Sequence, residues 1–210
     1  MSSSLESEDA ERLEACVARG GVAVFPSDTV YGLCCDPEDE EAALRLFNLK
    51  GRPSRRACAV MFFSLEAVFR AMPELLDIER LALEALLPGP VTLLLANRGE
   101  HFGPACRSDP TTVGLRVPRL PERVAALSEM LRPVMQSSAN LSGQPDARTL
   151  EEVPLSIREG ADLVLDGGEL PGTASTVIDL RDFSSGRRWH LLREGPLERE
   201  DVQERLGALG

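Results

Sequence analysis

Lysine is nearly absent from this sequence: Lys50 is the single lysine among 23 lysines and arginines, whereas aspartate and glutamate together number 34. The net charge of −11 argues against a general nucleic-acid-binding surface, because such surfaces are basic. It does not exclude a local group of cations in a cleft.

Long apolar runs are missing as well. No run approaches the roughly 20 residues that span a bilayer, and residues 1–21 are acidic and lack the apolar core of a signal peptide. We therefore predict a cytoplasmic protein without a membrane segment.

The length of 210 residues suits one domain, which we place at residues 8–210, and we expect residues 1–7 to be disordered.

Several catalytic and metal-binding patterns are absent. The histidines, His101 and His190, are far apart, and the adjacent pair Cys34 and Cys35 has neither CxxC nor zinc spacing. We predict no protein metal site and interpret the cysteines as small packing residues. Without a GxxxxGK[ST] loop, a GxGxxG turn or a GxSxG elbow, an enzyme of this sequence would work by positioning and charge stabilisation rather than through a covalent nucleophile.

Helical and extended patterns alternate along the chain in an irregular order. This predicts an α/β fold, a single domain with a twisted, mixed β-sheet and flanking helices, rather than a strict βαβ series. The predicted helices are 8–21, 37–51, one starting near Ser64, 78–87 and 198–209, and the predicted strands are 22–26, 57–63, 91–96, 112–118, 133–139, 162–168, 175–182 and 187–195.

Small polar and cationic residues follow many of the predicted strands. In open α/β sheets ligands bind at strand ends, and cations, hydroxyls and an amide suit a polyanionic small molecule with sugar hydroxyls. Taken singly, these stretches could also be turns, a helix N-cap or a solvated helix end. The residues are Ser27, Asp28, Thr29, Tyr31, Arg116, Ser137, Ser138, Asn140, Ser142, Ser175, Thr176 and Arg193.

Two cationic features stand out in the acidic chain. "LKGRPSRR" (49–56) gathers Lys50, Arg52, Arg55 and Arg56. Arg116 interrupts an apolar strand between Leu115 and Val117, so its charge must be paired or face a cleft.

Seven motifs occur in a specific order: "VAVFPSDTVYGLCCDP", "LKGRPSRR", "LLPGPVTLLL", "TVGLRVP", "QSSANLSG", "DGGELPGTASTVIDL" and "LLREG". From about Gly21 to Gly195 the chain closely resembles the YrdC-like family of threonylcarbamoyl-AMP synthases, in its short single-domain form. The resemblance implies a twisted α/β sheet around a deep cationic cavity.

The resemblance also implies an activity. L-threonine and bicarbonate would give N-carboxythreonine, whose carboxylate attacks the α-phosphate of ATP to form threonylcarbamoyl-AMP and pyrophosphate. Mg²⁺ is expected with the ATP, bound mainly by phosphate oxygens and water. A downstream threonylcarbamoyl transferase complex would modify adenosine in tRNA, so tRNA would be only an indirect partner.

The family motifs also imply roles for individual residues. Lys50 and Arg52, the expected catalytic residues, occupy a KxR motif that handles the ATP phosphates, and Arg56 is a further phosphate contact in an altered setting. Ser138 and Asn140 occupy an SxN motif on the nucleotide side. Thr112 and Arg193 are the other expected ATP contacts, and Thr29, Arg116 and Ser175 are the expected L-threonine contacts.

Three positions depart from the family pattern: Arg56 with the Ala-Cys that follows it, Met61 in place of a common histidine, and Asp146 in place of the first residue of "SPT". These changes leave open a diverged nucleotide-binding paralogue that makes another carbamoyl product. An RNA-binding or ribosome-maturation factor is a second alternative, although the acidity of the chain disfavours it, since RNA affinity depends on many phosphate contacts.

Overall fold

The computed structural model describes residues 4–53 and 56–209. Within these ranges the helices are α1 (Ser7–Ala18), α2 (Glu40–Leu49), α3 (Leu65–Ala71), α4 (Asp77–Leu86), α5 (Gly103–Cys106), α6 (Leu155–Gly160), α7 (Phe183–Gly186) and α8 (Arg199–Gly207), with 3-10 turns at Glu122–Glu129 and Leu150–Glu152. The strands are β1 (Ala23–Pro26), β2 (Tyr31–Cys35), β3 (Ala59–Met61), β4 (Val91–Ala96), β5 (Thr112–Arg116), β6 (Val134–Ser138), β7 (Leu163–Val164), β8 (Thr176–Asp179) and β9 (His190–Arg193).

All of these strands belong to one mixed sheet, in the order β7-β1-β2-β6-β3-β5-β4-β8-β9. The pairs β1–β7, β3–β5 and β4–β8 are parallel, and the other neighbours are antiparallel. The predicted single-domain α/β fold with a mixed sheet and flanking helices is confirmed.

The start and end of α2 follow its charge pattern. The Asp39 carboxylate caps the helix by accepting hydrogen bonds from the amides of Glu41 and Ala42 at 2.9 and 3.0 Å. Acidic residues then fill the first turn, and Lys50 follows the last residue, which suits the helix dipole. Lys50 therefore lies immediately after α2, at the C-terminal end of the helix.

The hairpin of β1 and β2 was not predicted. Pro26 pairs with Tyr31 and Ala23 with Cys34, so "YGLCC" is a strand joined to β1 by a tight turn. Both strands are buried on both faces. Such strands lack the polar–apolar alternation that marks a half-buried strand, so periodicity could not reveal β2.

Other differences concern short elements. The predicted strand at 162–168 is shorter in the structure, where β7 spans only Leu163–Val164. Helices α5, α6 and α7 were missed, because segments this short do not develop a helical period of apolar residues. The 3-10 turn Glu122–Glu129 was missed as well.

Two apolar clusters lie on opposite faces of the sheet, and the adjacent cysteines of β2 divide between them. Cys34 packs with Leu13 and Phe25 in the cluster that includes α1, and Cys35 packs with Leu46 in the cluster that includes α2. Burial raises the pKa of both thiols. All five cysteines are buried and free, and their interpretation as packing residues stays a prediction.

The chain termini test the boundary predictions only in part. Residues 1–3 lie outside the described ranges, so the disorder of residues 1–7 stays a prediction; within the described part, the amide of Leu5 donates to the carbonyl of Arg123 at 2.8 Å.

Among residues 4–53 and 56–209, no helix combines the length and apolarity that membrane crossing requires.

Candidate active site

A cavity of about 460 Å³ lies over the sheet, at positions contributed by β3, β4, β5, β6 and β8 and the loops beside them. The expected site residues Thr29, Arg52, Thr112, Arg116, Ser138, Ser175 and Arg193 all line it, although they are spread over much of the chain. Lys50, Asn140 and Arg56 are not among its lining residues. The structure thus brings most of the predicted site together and leaves three residues to be explained.

The Lys50 ammonium is buried against the loop that follows β6. Its Nζ donates to the carbonyl oxygen of Asn140 at 2.8 Å, to Oδ1 of the same residue at 2.9 Å, and to the carbonyl oxygen of Ser138. Burial, aided by the charge of Arg52, lowers the pKa of Lys50 to about 8. In this state the lysine connects the end of α2 to the 138–140 turn rather than facing the cavity.

Asn140 organises the same turn. Its Oδ1 accepts from the Ser138 hydroxyl at 2.7 Å, and its Nδ2 donates to the carbonyl of Gln144. The amide of Ser142 donates in turn to the carbonyl of Lys50 at 2.9 Å. The KxR and SxN motifs, about ninety positions apart, are therefore one hydrogen-bonded unit, of which Ser138 reaches the cavity.

Arg52 extends from this unit into the cavity. Its NH1 donates to the Ser137 hydroxyl at 3.0 Å and its NH2 to the carbonyl of Ala57 at 2.9 Å, while its buried Nε has no partner within the described residues. Arg56 is exposed. Arg55, the fourth cation of the basic run, lies outside the described residues.

On the opposite side, Arg116 is held at the end of β5. Its NH2 donates to Asp28 Oδ1 at 2.7 Å and more weakly to Thr29 Oγ1 at 3.3 Å. Both charged side chains are almost completely buried, at 4% exposure for Arg116 and 3% for Asp28. The charge inside the apolar strand is thus both paired and directed at a cleft, and its partner was not predicted.

Ser175 and Arg193 form a second pair at the cavity wall. Arg193 donates from NH2 to the Ser175 hydroxyl at 3.0 Å and from Nε to its carbonyl at 2.9 Å. The same hydroxyl shares a hydrogen bond of 2.9 Å with Thr92. Gly195 is required close by, because a Cβ there would lie 2.4 Å from the amide nitrogen of Thr176.

Arg181 lines the cavity and was missed by the sequence analysis. It is bound to the Asp179 carboxylate at 2.6 Å and donates to the Thr112 hydroxyl at 3.3 Å. The available signal was an arginine two positions after the strand "TVID", because cations near strand ends in a sheet can reach a ligand.

The departures from the family pattern fall in different surroundings. Met61 is fully buried among core residues and is absent from the cavity lining. Asp146 does line the cavity, where its charge acts on Lys50. The change at Asp146 therefore concerns the site, whereas the change at Met61 concerns packing.

The tyrosine of "DTVYG" does not line the cavity but is hydrogen-bonded to the "DGG" loop. The single hydroxyl proton of Tyr31 is shared between Asp166 Oδ1 at 3.0 Å and the carbonyl of Gly168 at 2.9 Å, and Oη accepts from the amide of Gly167 at 2.9 Å. Gly168 adopts a φ of 70°, which favours glycine. The hairpin turn and the "DGG" loop are therefore joined through one hydroxyl.

We predict that Tyr31→Phe lowers the free energy of unfolding by about 1–3 kcal/mol, because it leaves the buried amide of Gly167 without its hydrogen-bond acceptor. Urea unfolding followed by circular dichroism measures this change. Tyr31 itself does not line the cavity, so saturating turnover should stay within about threefold of the parent. A stability equal to that of the parent would show that the hydroxyl is not needed to hold the loop.

The cavity defines a class of protein. Its lining includes Arg52, Arg116, Arg181 and Arg193 against Asp109 and Asp146, together with several serine and threonine hydroxyls. Arginines match the geometry of phosphate and carboxylate groups. The chain is an α/β protein whose cavity is suited to an anionic, hydroxyl-bearing small molecule.

The chain belongs to the Sua5/YciO/YrdC family, whose model, described as "Telomere recombination", matches residues 15–195. It is 33% identical over 199 residues to a threonylcarbamoyl-AMP synthase of Pyrococcus abyssi, covering 92% of this chain and 56% of that protein. It is 34% identical over 194 residues to a protein of the same name from Xanthomonas campestris, covering 85% of this chain and 95% of the relative.

A solved structure of similar architecture is that of P. abyssi Sua5 complexed with L-threonine, with a TM-score of 0.83 and 29% identity. The match covers 97% of this chain and 58% of that one. This chain thus spans little more than half of the archaeal protein and nearly all of the Xanthomonas relative. The predicted resemblance to YrdC-like proteins is confirmed.

Proposed function

We propose that this protein is an L-threonylcarbamoyladenylate synthase, which makes threonylcarbamoyl-AMP and pyrophosphate from L-threonine, bicarbonate and ATP. The observation that carries the proposal is the cavity itself: residues from distant motifs converge there in a family whose relatives bear this name. The carboxylate of threonine on one side of the cavity and the triphosphate of ATP on the other would each contact arginine side chains.

The nucleotide would bind on the side of Arg52, Ser138, Thr112 and Arg193. When the carbamate oxygen of N-carboxythreonine bonds to the α-phosphorus, the bond to the pyrophosphate oxygen breaks and negative charge accumulates on the leaving group. The Arg52 guanidinium, whose Nε lacks a partner within the described residues, would stabilise that charge. Arg56, exposed beside it, would contact phosphate only at the rim.

Lys50 and Asn140 would act on the nucleotide from beneath the cavity surface. They fix the turn that presents Ser138. Arg52 lies close enough to Lys50 for its charge to lower the pKa of the lysine. We propose that a bound triphosphate is attracted by this charge and raises the pKa of Lys50 toward its usual value.

L-threonine would bind on the side of Thr29, Arg116 and Ser175, with its carboxylate at the Arg116 guanidinium. Thr29 is held by its own turn, because the Ser27 hydroxyl lies 3.2 Å from Thr29 Oγ1 and donates to the carbonyl of Val30 at 2.8 Å. Such fixed groups hold the reacting carbamate in line with the α-phosphate, which is the main source of acceleration when no nucleophilic side chain takes part.

Mg²⁺ would accompany ATP. The described residues contain no group of three histidine, cysteine, aspartate or glutamate side chains close enough to hold a metal ion, which fits a cation carried largely by phosphate oxygens and water. Asp109 and Asp146 are the carboxylates in the cavity lining and could accept hydrogen bonds from metal-bound water. The ion would neutralise charge on the phosphates when bound.

The product implies its consumer. Threonylcarbamoyl-AMP is an activated acyl adenylate, so a downstream transferase complex would pass its acyl group to tRNA, with tRNA as an indirect partner of this protein. We propose a cytoplasmic location because both ATP and tRNA are used there.

The predicted activity is checked by incubating the protein with ATP, Mg²⁺, bicarbonate and L-threonine and measuring pyrophosphate. Release should require threonine and bicarbonate together, and L-threoninamide, which lacks the carboxylate, should not replace threonine. ATP binding without this dependence would favour the diverged paralogue. Salt-sensitive RNA binding without turnover would favour the RNA-binding alternative.

A further inference from the structure

Asp28 is a buried carboxylate that the sequence motifs give no role. Its Oδ1 accepts from Arg116 NH2 at 2.7 Å, and its Oδ2 accepts from the backbone amide of Arg119 at 3.2 Å. Asp28 does not line the cavity described above; it borders a separate, more open depression together with Arg119 and Arg123. It therefore holds Arg116 from behind, on the side away from the cavity.

This contact orients the guanidinium. NH2 is engaged by Asp28 and by the Thr29 hydroxyl, whereas Nε is buried without a partner among the described residues. A buried, unsatisfied N–H of a charged group is costly, so the guanidinium is not saturated by its protein partners. Fixing NH2 from behind leaves the other N–H groups of Arg116 to a ligand and restricts the directions in which they can point.

The same contact balances charge. Arg193 repels the Arg116 charge, and burial together with this repulsion lowers the pKa of Arg116, while Asp28 opposes both. Asp28 therefore favours the charged form of Arg116 at this buried position, and a ligand carboxylate requires that charge. Without Asp28, Arg116 would be a buried cation beside another cation and would reorient toward water or other acceptors.

We propose that Asp28 is a positioning residue for the amino-acid carboxylate, acting through Arg116 and determining preference for substrates that carry this carboxylate. The proposal rests on the proposed function, since it takes threonine as the ligand of Arg116. Asp28 itself does not contact the substrate: its effect passes entirely through the orientation and charge balance of the guanidinium.

The test is calorimetric binding of L-threonine, of L-threoninamide and of ATP with Mg²⁺ to the parent protein and its variants. Asp28→Asn keeps the size of the side chain and an acceptor for Arg116 but removes the charge, and it should weaken threonine binding about tenfold or more. Threoninamide and ATP binding should change little. Asp28→Ala, which removes the acceptor as well, should weaken threonine binding further if it folds.

Two comparisons separate positioning from a general loss of structure. Asp28→Asn combined with Arg116→Ala should bind threonine no more weakly than Arg116→Ala alone, because Asp28 acts only through Arg116. Asp179→Asn is the matched control: it also removes a buried carboxylate paired with an arginine, Arg181, but on the nucleotide side, and it should leave threonine binding unchanged.

Equal losses of threonine and ATP binding in Asp28→Asn, or a further loss in the Arg116→Ala background, would overturn the positioning role while the proposed function stands. A parent protein that binds no threonine and releases no threonine-dependent pyrophosphate would overturn both.

Discussion

A Lys50→Ala variant is expected to lose nearly all threonine-dependent pyrophosphate release, at least about a hundredfold, and to lose stability as well. Removing the ammonium leaves the carbonyls of Ser138 and Asn140 and Oδ1 of Asn140 without their buried donor. We expect the free energy of unfolding to fall by about 2–4 kcal/mol. Pyrophosphate assays and urea unfolding measure the two effects.

Lys50→Met separates charge from volume, because methionine fills the space of the stem without the ammonium. The lowered pKa of Lys50, about 8 against a reference of 10.5, adds a pH signature. Between these values the unfolded chain binds more protons than the folded one, so the contribution of Lys50 to stability rises with pH across this window. The methionine variant should lack that rise.

Arg70→Ala is the control for Lys50, since Arg70 is an exposed cation paired with Glu66 on α3 and its removal should affect neither stability nor turnover. A Lys50→Ala protein with parental stability would show that the buried hydrogen bonds are dispensable. Near-parental pyrophosphate release would contradict both the phosphate role and the support of Ser138.

An Arg116→Ala variant is expected to raise the threonine concentration needed for half-maximal turnover about a hundredfold, with a much smaller change for ATP. The guanidinium is the charged group at the proposed carboxylate position, and its removal also leaves Asp28 buried without its ion-pair partner. Breaking a buried pair on one side costs about 3–5 kcal/mol of stability. Steady-state kinetics and chemical denaturation measure the two changes.

The stability loss in Arg116→Ala should depend on pH in a defined direction. Burial already raises the pKa of Asp28, and the charge of Arg116 opposes this, so removing Arg116 raises the pKa further. A carboxyl whose pKa is higher in the folded than in the unfolded state destabilises the fold as pH rises through the folded-state pKa. At a pH below its unfolded-state pKa the carboxyl is protonated in both states and costs no stability. The deficit relative to the parent should therefore shrink on acidification from pH 7.

Arg116→Lys is the matched variant: it keeps one positive charge near Asp28 but not the planar fork, so stability should largely recover while the threonine requirement stays high. An Arg116→Ala variant whose ATP requirement alone increased would place this residue on the nucleotide side and contradict the assignment.

Some of the site could be predicted from single residues. A charge inside an apolar strand must be paired or face a cleft, and Arg116 does both. Arg181, two positions after "TVID" and next to Asp182, is not inside an apolar strand, and this cavity residue was overlooked. Hydroxyls and cations after strand ends pointed to Thr29, Ser138 and Ser175 because strand ends in a sheet converge.

Other features could not be predicted from pattern. The strand Tyr31–Cys35 is buried on both faces, so its apolar run carries no period that distinguishes strand from loop or helix. The role of Tyr31 was hidden for a related reason: its partners in the "DGG" loop lie about 135 positions away, and no local rule connects a phenol to a distant turn.

The sequence by itself determined the α/β class and most of the polar residues that line the cavity, because these depend on local periodicity, on side-chain chemistry and on the order of motifs. Only the tertiary structure decided which residues are hydrogen-bond partners and whether a side chain faces the cavity. It turned the single lysine from a presumed cavity residue into the buried support of the 138–140 turn, and it placed Asp28 behind Arg116. Hydrogen bonds between residues some ninety positions apart depend on how the strands are ordered in the sheet, and that order is set by the packing of the whole domain.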